Sequence, residues 1–500
     1  MKSLAQLEYL HDHPYSYAKL GASLSTPVMP EPLTHPYLIH INQSLAKRLG
    51  VDLLNTEQEL LTSLLAGSEV LPNWQPLAMK YTGHQFGQYN PDLGDGRGLL
   101  LAEFIAPNSA DLDSKKWDFH LKGSGQTPYS RNGDGRAVIR STVREYLISA
   151  AMQGLRIPTT QALAMLGSTT LVQREETECA ATLLRVAPSH IRFGHFEYLF
   201  YSGQDQQLKL LAEHVMHWHM PEIDLNAPDK YEQFFAQVVS RTANTIAQWH
   251  AYGFCHGVMN TDNMSILGLT FDYGPFAFLD TYQPNYICNH SDYSGRYAFD
   301  EQPGIGQWNL SALGYALSKL IDTDAIETAL HRYSSIVQSE YRRLMRARFG
   351  LISEQDGDPE LINECLFLME KLELDYHYTL RCLSEIDCRN WHSDLAHDIN
   401  NAEFSEWLTR YQARLSVDYI HDHDNKDKQR QQAMQAVNPK YLLRTHLAQE
   451  AITLVENGQY DVIEQWLKVL ENPFIAHDCP PHWSQPPSNE QKGHCLSCSS

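Results

Sequence analysis

The residues with the clearest chemical pattern lie between positions 256 and 274. The segment 256–263 reads HGVMNTDN, and Asp272 follows Asn263 by nine positions in the segment 271–274, FDYG. Kinase-like enzymes use a His-x-Asp-x4-Asn loop followed by Asp-Phe-Gly, in which the Asn and the second Asp hold Mg²⁺. Mg²⁺ takes few protein carboxylates and completes its shell with phosphate oxygens and water. The spacing therefore predicts a magnesium and nucleotide site at Asn263 and Asp272.

One position departs from the kinase pattern. Val258 stands two residues after His256, where the kinase loop carries its catalytic base. A carboxylate stands instead at Asp262, directly before Asn263. The sequence predicts a displaced base at Asp262, but a non-catalytic nucleotide-binding or redox scaffold remains an alternative.

Two glycine-rich turns precede this region. Residues 93–98 read LGDGRG, in which Gly94 and Gly96 allow backbone N–H groups to face a phosphate and Arg97 can add a bidentate contact. No Gly-Lys-Ser/Thr follows, so this is not a Walker A loop, and a plain glycine hairpin is the alternative. The second turn, RNGDGR at 131–136, can enclose a nucleotide from another side or cap the helix that follows it.

Charged residues at predicted strands and helices complete the pattern. Lys122 ends a strand-like run, and the next helix carries Glu145, the order in which kinases place a phosphate-binding lysine and its orienting glutamate. An exposed strand end and a solvated helix charge are the alternatives. Arg185 and Arg192 can neutralise a polyphosphate, or form ordinary surface salt bridges.

The elements that position these residues change type along the chain. Strand-like runs at 98–105, 117–121, 169–173 and 182–186 surround one helical segment at 138–153, for which Gly154 is the expected C′ residue. From about position 231 the apolar spacing becomes helical. The predicted class is α+β, with the two-lobed fold of protein kinases and helical additions at both ends.

The same pattern divides the chain into four predicted regions. An N-terminal extension covers 1–75, with short helices around Leu45 and Leu60, and a sheet-rich nucleotide-binding lobe covers 76–195. A helical lobe with the catalytic and metal loops covers 196–470. The region 471–500, rich in Pro, Ser, Gln and His, reads as a mobile tail.

Composition excludes several classes of function. The net charge of -21 argues against a general nucleic-acid binder, because such binding rests on Lys and Arg. No run of about 18 apolar residues predicts a membrane span, and no signal or transit sequence is recognisable. Nine scattered cysteines favour a reducing compartment, so we expect a cytoplasmic location. The His-x-His pairs lack the further ligands of a zinc site, and no Gly-x-Ser-x-Gly elbow indicates a hydrolase.

Several longer motifs resemble the selenoprotein O family. They are YTGHQFG at 81–87, GDGRG at 94–98, HLKGSGQTPYSR at 120–131, RFGHFE at 192–197, the Asp262-Asn263 loop and the ending CLSCSS at 495–500. The second tail position, selenocysteine in some members, is Cys498 here. The resemblance implies a pseudokinase fold that uses ATP and Mg²⁺, or Mn²⁺, to transfer AMP to Ser, Thr or Tyr hydroxyls of proteins, with ATP bound in a flipped orientation.

The resemblance also implies a role for each site residue. Asp262 is the base, Asn263 and Asp272 bind the metal, and Glu145 orients Lys122. The nucleotide is held by Gly94, Gly96, Arg97, Lys122, Asp134, Gly135, Arg185, Arg192 and Asp272. The alternative is a kinase-type phosphotransferase that uses the γ-phosphate.

Cysteines suggest a redox element. Cys288 follows the 271–274 segment, where kinases carry a mobile activation segment, and Cys498 can bridge to it. Cys495 and Cys498 also form a CxxC, which is typical of redox or metal chemistry. Dangling thiols without a role are the alternative.

Overall fold

The computed structural model describes residues 1–492 apart from 54, 113, 386–398, 400 and 419–422. Its strands are β1 Lys2–Ser3, β2 Glu8–Tyr9, β3 Ser25–Pro27, β4 Tyr37–Ile41, β5 Val51–Asp52, β6 Leu77–Met79, β7 Gly83–Gln85, β8 Gln88–Asn90, β9 Gly98–Ile105, β10 Lys116–Lys122, β11 Ala137–Val138, β12 Gln161–Gln173, β13 Thr177–Ala187, β14 Phe254–Cys255 and β15 Ala277–Phe278.

Its helices are α1 Gln43–Leu49, α2 Gln58–Ala66, α3 Ile139–Gly154, α4 Phe193–Tyr201, α5 Asp205–His219, α6 Lys230–Ala251, α7 Gln302–Ala316, α8 Thr323–Arg348, α9 Asp358–Lys371, α10 Tyr376–Glu385, α11 Ala402–Asp418, α12 His423–Gln435, α13 Thr445–Glu456 and α14 Asp461–Glu471. Short 3-10 turns include Thr261–Asn263. The predicted mixture of strands and helices is confirmed. None of the described helices combines the length and the apolar composition that crossing a lipid bilayer requires.

One large sheet carries the upstream site residues. Its strand order is β3-β6-β9-β10-β13-β12-β4, with β2 paired to β9 and β11 paired to β13. Strand β10 lies antiparallel to both β9 and β13, which sets Lys122 opposite Gly98 on one side and Leu183 on the other. Because all seven residues of β10 are buried, both ends of this strand lie inside the protein.

Residues 1–75 contribute to that sheet as well as forming the expected helices. Helices α1 and α2 lie where short helices are predicted, but β3 and β4 were not anticipated from the sequence. Strand β3 pairs with β6 and β4 pairs with β12, so the two ends of the strand order come from this segment. These strands have three and five residues, too few for a period-two pattern to stand out.

Helix α3 lies within one residue of its predicted position, and it contacts β12, α13 and α14. The expectation for Gly154 was wrong: this residue is still helical, and Leu155 caps the helix. Glycine is needed there for a different reason, because a Cβ atom would overlap the carbonyl oxygen of Leu470 in α14. The helix is thus closely covered by the C-terminal helices.

A short strand pair brings the downstream motifs together. Phe254–Cys255 lies antiparallel to Ala277–Phe278, so residues 256–276 form a loop whose two ends are held together by this strand pair. Helix α6 packs on α7 and α8 behind it. Helix α7 begins at Gln302, after the loops that follow β15.

Candidate active site

A cavity of about 490 Å³ lies where the 256–276 loop meets the large sheet. Most of the residues singled out in the sequence line it: Gly94, Gly96, Arg97, Lys122, Asp134, Gly135, Arg185, Arg192, Asp262, Asn263 and Asp272. Glu145 is absent from the lining but touches two of these residues. The structure therefore collects in one place side chains that are spread over about 180 positions of sequence.

Asp272 lies at the centre of a buried ion-pair network. Its Oδ1 accepts a hydrogen bond from Nη2 of Arg185 at 3.0 Å, and Nη1 of Arg192 donates to its Oδ2. Burial alone would raise the pKa of Asp272, but Arg192, Arg185 and Lys122 outweigh burial and hold the pKa far below its ordinary value. The backbone of Asp272 has a φ of 61°, a left-handed conformation that costs a non-glycine residue energy and is common at functional sites.

Lys122 and Glu145 form a second pair beside the first. The Lys122 ammonium donates to Oε2 of Glu145, while Nε of Arg185 donates to Oε1 at 2.7 Å. Glu145 is only 1% exposed and Lys122 only 6%, so neither the solvated helix charge nor the exposed strand end applies. Burial lowers the pKa of Lys122 to about 8; Glu145 opposes this shift, and Arg97 adds to it. Lys122 thus lies in surroundings with surplus positive charge.

Asp262 lies in the 3-10 turn Thr261–Asn263 and lines the same cavity. Its Oδ2 accepts a hydrogen bond from Nε2 of Gln85 at 3.2 Å, whereas its buried Oδ1 has no hydrogen-bond partner among the described residues. Burial raises the pKa of this carboxyl to about 6, although Arg192 opposes the shift. Nη1 of Arg192 also donates to the Asp262 carbonyl at 2.7 Å, which ties the cationic wall to this turn.

Asn263 lies next to Asp262 with one half of its amide engaged. Its Nδ2 donates to the carbonyl of Val258 at 3.2 Å. This bond occupies the amide nitrogen and leaves the amide oxygen available to bind a metal ion. Val258 itself lines the cavity in the place of the usual base. The loop therefore supplies one amide oxygen and one carboxylate to the cavity.

The two glycine-rich turns form the upstream rim. Asp95 anchors the first turn: its Oδ2 accepts from the Met79 N–H at 3.2 Å and lies 3.1 Å from Nε2 of His120. In the second turn Asp134 pairs with Arg174 at 2.7 Å. Asp134 does not cap α3, which begins five residues later, so the capping alternative fails for this side chain.

The donor set fits a magnesium ion better than a transition metal. The described residues contain no group of three or more His, Cys, Asp and Glu side chains that could hold a metal by themselves. The cavity instead offers the Asp272 carboxylate and the Asn263 amide oxygen. Both are oxygen donors, and an ion held by so few of them needs phosphate oxygens to complete its shell.

Sequence reasoning missed several residues of the site. Gln85, which contacts Asp262, belongs to the quoted 81–87 motif, but no role was assigned to it there. His120 and Asp95 likewise lie in quoted motifs. Arg174 stands in the β12–β13 turn with no local pattern that predicts its pairing with Asp134, because the two are 40 positions apart.

Cys288 does not line the cavity. It is buried, with its Sγ 3.4 Å from that of Cys255 and 3.1 Å from the Pro275 carbonyl oxygen, directly behind the 271–274 segment. Cys495 and Cys498, with the CxxC prediction, lie outside the described residues.

Comparison with known proteins identifies the class to which this fold and site belong. The family described as protein adenylyltransferase SelO matches residues 8–471. The chain therefore belongs to the SelO family of protein adenylyltransferases, and it is an enzyme of the nucleotidyltransferase class.

Individual relatives agree with that assignment over nearly their whole length. The protein nucleotidyltransferase YdiU of Photobacterium profundum is 47% identical, with 97% of this chain and 98% of the relative covered. The protein of that name from Vibrio cholerae is 49% identical over the same shares. That from Pseudomonas fluorescens is 46% identical, with both chains covered completely.

Proposed function

We propose that this enzyme transfers AMP from ATP to Ser, Thr or Tyr hydroxyls of proteins and releases pyrophosphate. One observation carries the proposal: a cationic wall of Lys122, Arg185 and Arg192 faces the same cavity as Asp262, a buried carboxylate with an unpartnered oxygen. The wall suits a triphosphate, and the carboxylate suits the proton of an attacking hydroxyl.

The architecture that we propose around this site is the two-lobed fold of protein kinases. In support, the Lys122–Glu145 pair joins a sheet strand to a helix, and the Asp262 and Asp272 loops follow in the order of kinase catalytic and metal loops. The lobes would be residues 76–195 and 196–470. Residues 1–75 and 471–500 would be additions to them.

In the proposed mechanism the protein first holds and neutralises the triphosphate. Lys122, Arg185 and Arg192 pair with phosphate oxygens, Glu145 keeps Lys122 directed at them, and the glycine turns at 94–98 and 133–135 supply backbone N–H groups. Asn263 and Asp272 would hold Mg²⁺, which supplies further charge neutralisation to the phosphates when it is bound. Most of the rate enhancement then comes from positioning and electrostatics.

Asp262 completes the reaction by accepting a proton. The acceptor hydroxyl oxygen attacks the α-phosphorus and forms the new P–O bond, while the bond from the α-phosphorus to the bridging oxygen breaks and pyrophosphate leaves. The hydroxyl proton moves to Asp262, whose Oδ1 is the oxygen that lacks a hydrogen bond. Gln85 holds the other oxygen and fixes the orientation of the carboxylate.

Labelled ATP distinguishes this reaction from phosphorylation. We expect protein acceptors to gain label from [α-³²P]ATP, none from [γ-³²P]ATP, and a mass equal to one AMP. EDTA should remove the activity, and Mg²⁺ or Mn²⁺ should restore it. Transfer of the γ label would establish the kinase-type alternative and refute AMP transfer.

We also propose that the oxidation state of Cys288 controls access to the site. Support comes from its position between Cys255 and Pro275, behind the 271–274 segment, where a change at sulfur would move the Asp272 loop. A disulfide between Cys288 and Cys498 is the proposed oxidised form. Peptide mapping under non-reducing conditions should find it in oxidised samples, and a mapping that recovers both thiols reduced would refute it.

A further inference from the structure

The hairpin formed by β7 and β8 connects the candidate base to the protein surface. Nε2 of Gln85 holds the Asp262 carboxylate, and the backbone N–H of His84 donates to Oγ1 of Thr261 at 2.7 Å. Gly83 is pressed so close that a Cβ atom there would lie 2.9 Å from the Asp262 backbone nitrogen. Residue 86, the next along the chain, turns outward. Whatever binds the tip of this hairpin is therefore one residue away from the group that contacts Asp262.

An aromatic ring stands at that tip in an unfavourable backbone conformation. Phe86 has a φ of 50°, in the left-handed region that glycine and asparagine tolerate and bulky residues avoid. Phe86 is 42% exposed, so burial does not compensate fully for the strain. Energy stored in this way is characteristic of functional sites.

Further exposed aromatic side chains continue from the hairpin across α4 and α7. His84 contacts the rings of Trp308 at 5.3 Å and Tyr89 at 5.4 Å, and Tyr89 in turn contacts Tyr201 at 4.3 Å. Tyr315 lies 6.5 Å beyond Tyr201. Trp308, Tyr201 and Tyr315 are 37%, 46% and 60% exposed. Contiguous exposed aromatic surface of this kind marks interaction sites, and Trp, Tyr and Arg dominate their binding energy.

One arginine gives this surface a charge preference. The guanidinium of Arg296 lies 4.9 Å over the Trp308 ring and beside Gly87 at the hairpin tip. It forms no ion pair with a carboxylate among the described residues, and its buried Nε has no hydrogen-bond partner there. Since the chain carries a net charge of -21, an arginine left without a carboxylate at the hairpin tip is suited to a negative group from outside.

We infer that Phe86, Trp308, Tyr201, Tyr315 and Arg296 form the docking surface for the acceptor protein, and that the preferred acceptor is a hydroxyl-bearing segment flanked by Asp or Glu. This inference rests on the proposed function, because it supplies the acceptor for the same site. The aromatic rings cover the apolar parts of the segment, Arg296 pairs with the flanking carboxylate, and the hairpin sets the distance to Asp262.

Peptides with matched centres and different flanks test the charge preference. Three peptides of equal length carry one central hydroxyl residue flanked by Asp/Glu, by Gln/Asn or by Lys/Arg, and transfer from [α-³²P]ATP is measured as kcat/KM. We expect the acidic peptide to exceed the neutral one at least tenfold. Arg296→Glu should reverse the order, whereas Arg342→Glu, at an exposed arginine on α8, should leave it unchanged.

Phe86→Gly separates docking from folding. Because glycine relieves the left-handed strain, we expect an unchanged or higher Tm together with at least a fivefold rise in KM for the acidic peptide. Binding of a fluorescent ATP analogue should stay as in the wild type. A variant with unchanged KM would overturn the role of the hairpin tip.

The remaining outcomes also discriminate. Equal labelling of the three peptides, or labelling of none by an enzyme that does label casein, overturns the docking surface while AMP transfer stands. An enzyme that labels no acceptor at all overturns the proposed function instead. If sedimentation shows a dimer that Tyr315→Ser dissociates, the surface belongs to a second copy of this chain and the inference is wrong.

Discussion

Strand β10 carries a buried lysine at each end, and the two lysines have opposite surroundings. Lys116 contacts two carboxylates, Glu103 at 2.9 Å and Asp118 at 2.5 Å. Burial would lower the pKa of Lys116, but Asp118 and Glu103 outweigh burial and raise it. At the other end, Lys122 shares Glu145 with Arg185, and its pKa falls to about 8.

The difference separates a structural ion cluster from a ligand site. Around Lys116 every positive charge has a carboxylate inside the protein, so the cluster is complete without a ligand. Around Lys122 the cations outnumber the carboxylates that they contact: Arg97, Lys122, Arg185 and Arg192 face Asp95, Glu145 and Asp272. A site with surplus positive charge is stabilised by an anion from outside, and a triphosphate supplies it.

The largest effect should follow from Asp272→Ala. This change removes the carboxylate that Arg185 and Arg192 share and the expected metal ligand, so we expect AMP transfer to fall by about 10³-fold or more. Initial rates with [α-³²P]ATP measure it. Asp92→Ala, at an exposed aspartate outside the cavity, is the control. Activity within tenfold of the wild type would show that the Lys122 end of the strand is not the reaction centre.

Exchanging Lys116 or Lys122 for methionine should affect different properties: the first exchange should lower the stability of the fold, and the second should weaken ATP binding. Lys116→Met leaves Glu103 and Asp118 buried without their cation, so we expect the free energy of unfolding to fall by about 3–5 kcal/mol. Lys122→Met leaves Glu145 paired with Arg185, so we expect a small stability change but about 10- to 100-fold weaker ATP binding.

Urea titration and calorimetric ATP binding measure the two effects of these lysine exchanges. The distinction between a structural cluster at Lys116 and a ligand site at Lys122 would be refuted by either of two results. Lys122→Met could be the less stable protein, or Lys116→Met could fold normally and bind ATP as poorly as Lys122→Met.

The lowered pKa of Lys122 predicts a pH dependence of binding. Above about pH 8 the free enzyme carries a neutral lysine, and ATP binding must be accompanied by uptake of a proton. Affinity for ATP should therefore be constant below this pH and fall above it, by at most about tenfold per pH unit. In Lys122→Met this decline should be absent between pH 7 and 9. An equally steep decline in that variant would assign the titration to another group.

The smallest effect concerns the second glycine-rich turn. Arg174→Met removes the partly exposed ion pair with Asp134, and such pairs contribute about 1 kcal/mol at most. We expect KM for ATP to rise no more than about fivefold, with kcat unchanged. Arg140→Met, which breaks the comparable pair with Glu178 outside the cavity, serves as the control. A fall in kcat would mean that Asp134 acts on the chemical step.

Short-range pattern accounts for what could be predicted from the sequence. Strands β9 and β10 and helix α3 carry their own apolar periodicity, and the Asp262 and Asp272 loops have spacings that chemistry constrains. What escaped prediction depends on tertiary contact. The Gln85–Asp262 hydrogen bond joins positions 177 apart, and the pairing of β3 and β4 depends on edges offered by distant strands. Lys116 and Lys122 look alike as residues, and only the folded sheet distinguishes them.

The packing of α3 against the last two helices has a consequence for the folding of the chain during translation. Glu145 is synthesised early, but the helix that carries it is covered by α13 and α14, and Leu470 touches Gly154 directly. Roughly 320 residues separate Glu145 from the end of α14, which a ribosome needs about 15 to 65 s to add. The face of α3 that contacts α13 and α14 is therefore covered only near the end of translation.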